Sequence, residues 1–557
     1  MNEEASVTIS VPGDVARDAA TPVDALRLAA ASRPDSMAFC DSSDREERGL
    51  GQPRSMTYAQ CHAVVTRIAA ELEKSGLRPG NVIALQAPNI VEVPLVILAA
   101  WRAGLVPCVM PVLWQLNEID DAFARLQPAA ALTVARYGDE RPAATLAEAA
   151  ARHVSIRFLF GLGSGTPDGI SPVDPWFEIP DDIGAATEDD GKAIEATADD
   201  LALLTWTTGR NGNIPLARTY AQLMSLGRMF AGALTLRFRD VLLNPYPYSG
   251  IAPVAGQLVA PLMAGASTVL HLPFDFDTFL AQLSGERVTC PVAPAPVVAA
   301  LEERRDLQSQ KYNLRKIACI WPSPCGTEKG PGIFEPTFPA IDVHNFADIA
   351  VLARPREQQV DPMLHPLGKL RSGPDDPGSP VTLEMRIRGS VKQRDGKEIL
   401  KGKLHVRGTT VPLGEYRPAS ADGPVTLLPD DHGFLDTGFD CVTDSEMNAR
   451  FRCEKNTDVI HHGGTILAAS ELDALYAGFP EFLDAAVFAL DDATIGDRIF
   501  AAVVPQPDLS PSLSRFRDYL ASKQVAPHKV PDQLVIVKSI PRTGDGLVER
   551  DKIINQI

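Results

Sequence analysis

The stretch 205–220, TWTTGRNGNIPLARTY, sets small hydroxyl side chains beside two glycines. Thr207, Thr208, Gly209, Arg210 and Gly212 are residue types that can cradle phosphate. Backbone N–H groups and hydroxyls donate, glycine permits close approach, and arginine supplies charge. The stretch contains no lysine. A Gly/Thr turn of this length also serves folding alone, and both readings stand. Other candidate chemistry is sparse. The eight cysteines are scattered with no CxxC pair, so they read as buried or idle thiols in a reducing compartment, without a zinc or disulfide framework. His461 and His462 are adjacent. In a strand they face opposite sides, which makes a poor metal pair, and solvated imidazoles are expected. No metal site is assigned.

Alternating strands and helices must position these residues. Thr57 opens a helix in TYAQCHAVVTRIAAELEKSG, where Val64, Val65, Ile68, Ala69 and Leu72 recur at helical spacing and Gly76 sits at the C-terminal cap. NVIALQAP (81–88) reads as a buried strand, followed by a helix capped by Asn89 with Glu92 three residues on. ASTVLHL (266–272) and RVTCPVAP (287–294) are further strands around a helical FDTFLAQL. The pattern is α/β with mainly parallel sheets. DSSDREERGLGQP (41–53) and RSGPDDPGSP (371–380) read as poorly structured. MRIRGS and GKLHVRGTTV then alternate as an antiparallel β section, and from about residue 445 a small α+β unit follows. A chain of 557 residues implies two to four domains. Its net charge of −18 argues against a nucleic-acid or membrane-surface binder. MNEEASVTIS lacks the apolar core of a signal peptide, and PLVILAAW is too short to span a bilayer, so the expected location is the cytoplasm.

This order of elements resembles the adenylate-forming superfamily of acyl-CoA synthetases, peptide-synthetase adenylation domains and luciferases. The resemblance runs from about residue 22 to 555. It opens with MTYAQ…ELEKSGLRPGNVIALQAPNIVEVPLVILAAWRAGLVPCVM and closes with VPDQLVIVKSIPRTGDGLVERDKI. It implies a large N-terminal domain of two α/β lobes plus a β-barrel-like section (1–445). A small mobile α+β lid (446–557) would follow, with a hinge at Asp444 to Glu446. The implied activity is acyl-adenylate formation from a carboxylate and ATP with Mg²⁺, then transfer to a thiol such as coenzyme A.

Several positions depart from the family's motifs. Against TSGTTG-x-PKG and its TH pair, TTGRNG keeps Thr207, Thr208, Gly209 and Gly212; Leu216 lies near the lysine's place, and Thr219–Tyr220 is the TH remnant. Tyr248 stands where a pocket-facing histidine is common. NFADIA (345–350) matches YG-x-TE: Phe346 keeps the adenine-stacking aromatic, Ala350 replaces the magnesium-binding glutamate, and Asp348 reads as a surface aspartate. In the TGD-like segment Thr437 and Gly438 match, Phe439 replaces the ribose-binding aspartate, and Asp440 follows one residue later. EKNTD (454–458) resembles GR-x-KD, with Lys455 for arginine and Asp458 retained. Leu547 occupies the place of the catalytic lysine, with Arg542 and Lys552 as nearby cations. Losing one preorganised donor of this kind typically slows chemistry about a hundred- to a thousandfold.

Family resemblance thus implies a divergent acyl-CoA synthetase acting on a small carboxylate or acyl thioester, with an acyl carrier protein as a further candidate partner. Two alternatives stand beside it. One is a non-adenylating relative that binds or transfers an acyl-adenylate or acyl-thioester without ATP. The other is a regulatory or scaffold pseudoenzyme paired with an active paralogue.

Overall fold

The computed structural model describes residues 19–184, 196–209, 212–271, 273–303, 312–325, 334, 336–371, 379–394, 397–418, 425, 427–443, 450–463, 465–544 and 546–556. Strand–helix alternation builds two eight-stranded sheets. The centre of one is parallel: Val106–Val109, Val82–Gln86, Ala130–Val134 and Phe158–Leu162. Its far side carries the antiparallel hairpin Leu201–Gly209 and Gly212–Thr219. The second sheet has Ser267–Leu270, Val241–Asn244 and Cys290–Pro294 in parallel and ends on the antiparallel pair Ala340–Phe346 and Ala350–Pro355. Strands buried on both faces suit a parallel arrangement covered by helices. Val82–Gln86 is buried at every residue.

The β section is a six-stranded antiparallel sheet that includes Val381–Arg394, Lys397–Arg407, Leu435–Thr443 and Arg450–Cys453. The C-terminal unit has five strands, with Val459–His462 and Thr465–Ala468 at one side and helix Ala469–Ala477 against Phe482–Asp492. Sheet membership therefore changes between Cys453 and Val459. The expected hinge and the 445/446 boundary lie outside the described residues. Among the described residues no helix is long and apolar enough to cross a membrane.

Local signals explain much of this. The Thr57 hydroxyl accepts from the Gln60 amide, and the Gln60 side chain accepts from the Thr57 amide, so helix Tyr58–Lys74 starts in a capping box. Gly76 then adopts φ 98°, a conformation glycine takes at no steric cost.

Two expectations are corrected. The segment 41–53 is ordered: Ser43–Arg48 forms a 3₁₀ turn, and Asp41 and Arg45 are buried. Arg45 pairs with Asp41 and, at 2.7 Å, with Glu92, so distant partners satisfy charges that look solvated in sequence. For the same reason Glu92 forms no capping box with Asn89. Glu92 is held by Arg45 and Arg54, while the Asn89 amide donates to the Asn244 and His271 carbonyls. The stretch 371–380 lies mostly outside the described residues.

Candidate functional site

The 205–220 stretch is a hairpin. Thr207 pairs with Ile214, Thr208 with Asn213 and Gly209 with Gly212, so the ladder runs as far as the two glycines. Arg210 and Asn211 are outside the described residues. Gly212 has φ 96°, as a tight turn requires. Thr207 is buried. The Thr208 hydroxyl donates to the Ile466 carbonyl at 2.8 Å, joining the tip to strand Thr465–Ala468 of the C-terminal unit. Leu216, further along the returning strand, is fully buried.

Arg218, on that same strand, is a buried residue that sequence reading did not single out. Its guanidinium donates to the Thr410 carbonyl at 2.7 Å and to the carbonyls of Asp348 and Ile349. Burial lowers its pKa to about 10, and nearby Asp348 opposes that shift. The available signal was a lone arginine in a run of otherwise buried strand residues, PLART. This arginine ties the hairpin to the β section and to the 345–350 turn.

In that turn Ala347 and Asp348 both have positive φ. Asp348 is buried, which corrects the expectation of a surface aspartate. Its carboxylate accepts from the Ile251 amide at 3.0 Å and from the Asn345 side chain at 2.8 Å. Burial raises its pKa. It anchors the start of the helical stretch after Gly250. Phe346 is fully buried, with its ring edge-on to Phe439 at 5.9 Å and to His365 at 5.2 Å. Ala350 begins the next strand, also fully buried.

Strand Leu435–Thr443 keeps its period of two. Leu435, Thr437, Phe439 and Cys441 face inward. The Thr437 hydroxyl donates to the Leu404 carbonyl at 2.8 Å. The register slips here, because Lys403 faces Asp440 while His405 faces Asp436. Gly438 takes φ 80° within this irregularity. Asp440 stays on the outward face and accepts from Lys403 at 2.7 Å.

Leu216, Phe346, Ala350 and Phe439 belong to one buried hydrophobic cluster, and Ile466 of the C-terminal unit packs against it. These are the positions that family resemblance gives to the phosphate lysine, the adenine aromatic, the magnesium carboxylate and the ribose carboxylate. As placed, three of them bring no charge and the fourth has no free ring face. A nucleotide triphosphate with its divalent cation does not fit this constellation among the described residues. Burying each large apolar side chain here stabilises the fold by about 1.5–3 kcal/mol.

Residues of the C-terminal unit are committed to one another. Lys455 binds Asp491 and, at 2.7 Å, Asp497; burial alone would lower its pKa, but the two carboxylates outweigh it and raise it. Asp458 pairs with Arg550 at 2.7 Å. Leu547 is 69% exposed on a turn closed by the Thr543 amide donating to the Leu547 carbonyl. Arg542 pairs with Asp484 and Lys552 with Glu549, both at 2.7 Å. His461 is buried against Phe439, not solvated, and burial lowers its pKa to about 4. Buried Lys529 bridges the two parts of the chain, reaching Glu118 at 2.7 Å and Glu471 at 2.5 Å. Elsewhere Tyr248 is buried, and burial raises its pKa while the neighbouring Asn244 side chain opposes that shift.

The structure therefore brings Phe346 and Phe439 into one cluster, which Thr208 reaches through the Ile466 carbonyl and Thr437 through the Leu404 carbonyl. It holds Lys455, Asp458, Arg542 and Lys552 in separate ion pairs.

Comparison with known proteins accords with this scaffold. Residues 26–331, just over half the chain, match the family described as AMP-binding enzyme, and residues 471–547 match the AMP-binding enzyme C-terminal domain. The medium-chain fatty-acid–CoA ligase of Escherichia coli is 24% identical, over 95% of this chain and 89% of its own. The salicyl-AMP ligase / salicyl-S-ArCP synthetase of Mycobacterium tuberculosis is 26% identical, over 96% and 90%. Among solved structures, o-succinylbenzoate CoA synthetase from Bacillus subtilis superposes with a TM-score of 0.68 at 18% identity, covering 95% of this chain and 98% of that one. The amide bond synthetase from Marinactinospora thermotolerans gives 0.69 at 18% identity, covering 96% and 99%. Fold, order of elements and both family matches agree: this chain belongs to the AMP-binding, adenylate-forming enzyme family.

Proposed function

We propose that this chain is an acyl- or aryl-ligase-like protein that handles its acyl group without ATP-dependent adenylation. The observation that carries this reading is the single buried cluster formed by Leu216, Phe346, Ala350 and Phe439. The exposed position of Leu547 supports it, because no cation stands there to reach the α-phosphate. Relatives named for fatty-acid–CoA and salicyl ligation direct the substrate class to a small carboxylate or its activated form, an acyl-adenylate or acyl-thioester. Coenzyme A or a carrier-protein thiol is the matching acceptor, and Tyr248 lines the candidate acyl pocket. In this reading ATP, AMP and Mg²⁺ are not cofactors, residues 446–557 act as the lid, and the location is cytoplasmic.

Thr207–Gly209 and Thr437–Gly438 favour a second reading, a synthetase with remodelled nucleotide contacts. Pyrophosphate release separates the two. The purified protein, and its Leu547→Lys variant, are assayed with ATP, Mg²⁺ and a panel of fatty and aryl carboxylates. We expect no release above background from either. Carboxylate-dependent release from the unmodified protein would overturn the proposal and establish the second reading.

A further inference from the structure

Beneath Phe439, on the inward side of the β section, three buried thiols meet. Cys441 and Cys453 stand directly opposite each other in the antiparallel pair Leu435–Thr443 and Arg450–Cys453, with their sulfurs 3.4 Å apart. Cys325 is bridged to Cys453 through the backbone, and its thiol donates to the Glu454 carbonyl at 3.4 Å. The Glu454 amide donates to the Asp440 carbonyl at 2.6 Å. Residues 440 and 454 are thus a hydrogen-bonded pair, which makes Cys441 and Cys453 the adjacent non-hydrogen-bonded pair. Such pairs have Cα atoms about 4.5 Å apart and side chains that lean together. That lies at the short end of the span a disulfide bridges, about 4.4–6.8 Å. A bond can therefore close there with little backbone movement.

We propose that Cys441 and Cys453 are a redox modification site that closes into a reversible cross-strand disulfide, with a hydroperoxide as the oxidant. The thiolate of Cys453, the less enclosed of the two, attacks the O–O bond. This gives a sulfenic acid, and the leaving hydroxide takes up the released proton as water. The Cys441 sulfur then displaces the sulfenic oxygen, the S–S bond forms, and a second water leaves. Two thiols and one hydrogen peroxide become one disulfide and two waters. Burial and the neighbouring thiols push the Cys453 thiol up, so the first step is slow and needs millimolar peroxide. Cys453 is the last strand residue before Lys455 and Asp458, so the bond pins the β section to the segment that enters the C-terminal unit. This inference is independent of the ATP reading.

The test treats the reduced full-length protein with millimolar hydrogen peroxide, alkylates the remaining thiols and maps tryptic peptides. Cleavage after Arg452 and Lys455 places Cys453 on the tripeptide 453–455, separate from the peptide that carries Cys441 and ends at Arg450. We expect these two peptides linked, an intact mass lower by two hydrogens, and full reversal by a thiol reductant. Cys325→Ser keeps the link and Cys441→Ser abolishes it. If Cys441→Ser does not fold, the unmodified protein and Cys325→Ser decide. A Cys453–Cys325 link, sulfinic acid without a link, or unreacted thiols in protein that stays folded would each overturn the proposal.

Discussion

Leu216 shows how completely one side chain can change a site. Its position lies inside the apolar cluster with Phe346 and Phe439, so restoring a lysine there would bury a charge without a partner. We predict that Leu216→Lys lowers unfolding free energy by about 3–5 kcal/mol, the range for an uncompensated buried charge, and creates no ATP binding. Denaturant titration checks the first statement and calorimetry the second. His461 makes a second residue-scale prediction. His365 and His461 are buried and His528 is half-buried, and desolvation lowers their pKa values to about 3, 4 and 4. In the unfolded chain each returns to about 6.5, so below that pH the unfolded state binds more protons. Their contribution is fully present above pH 6.5 and is lost as the pH falls toward the folded values. Asp348, raised by burial, acts in the opposite sense. Facing His461 are Asp497, which favours its protonation, and Lys455, which opposes it. We predict that His461→Phe reduces the loss of stability between pH 6.5 and 4 by up to about 1.4 kcal/mol per pH unit, measured by urea unfolding at stepped pH.

At the scale of elements, the hairpin 201–219 and strand Thr465–Ala468 act together. The Thr208 hydroxyl donates to the Ile466 carbonyl, the Ile466 side chain packs on the cluster, and Lys529 reaches across to Glu118. Lys529→Met leaves Glu118 buried without its partner, and breaking a buried pair in this way costs about 3–5 kcal/mol. We predict that the C-terminal unit loosens in this variant and that trypsin cuts within 444–455 faster than in the unmodified protein. An unchanged cleavage rate would contradict the docking described here. The elements themselves were largely legible. Thr57, the helical spacing of Val64 to Leu72 and Gly76 mark helix Tyr58–Lys74, and apolar runs mark Val82–Gln86 and Cys290–Pro294. The misreadings share a cause. Ser43–Arg48 looked poorly structured because Arg45's partner Glu92 is remote in sequence, and Glu92 looked like a cap because Arg45 and Arg54 are equally remote. Asp348 looked like a surface residue because nothing local announces the Ile251 amide that it accepts from. Local pattern reports propensity and period, whereas long-range pairing decides which charges are buried.

Over the whole molecule, the proposed function separates the family scaffold from the chemistry of its site. Two eight-stranded sheets, the β section and the C-terminal unit keep the expected architecture, and sequence motifs revealed it over nearly the full length. The substitutions at Leu216, Ala350 and Phe439 were visible one by one in the sequence. That they meet in a single cluster was not, because they come from three different sheet regions brought together by folding. In the proposed reading, a scaffold kept while these three contacts turn apolar is a fold serving another task, since function lives in the site and not in the fold. Calorimetric titration of the full-length protein with ATP and Mg²⁺ tests this most directly. The account predicts no saturable heat up to millimolar ATP. Saturable binding in the micromolar range would contradict it and show that this fold still cradles a nucleotide.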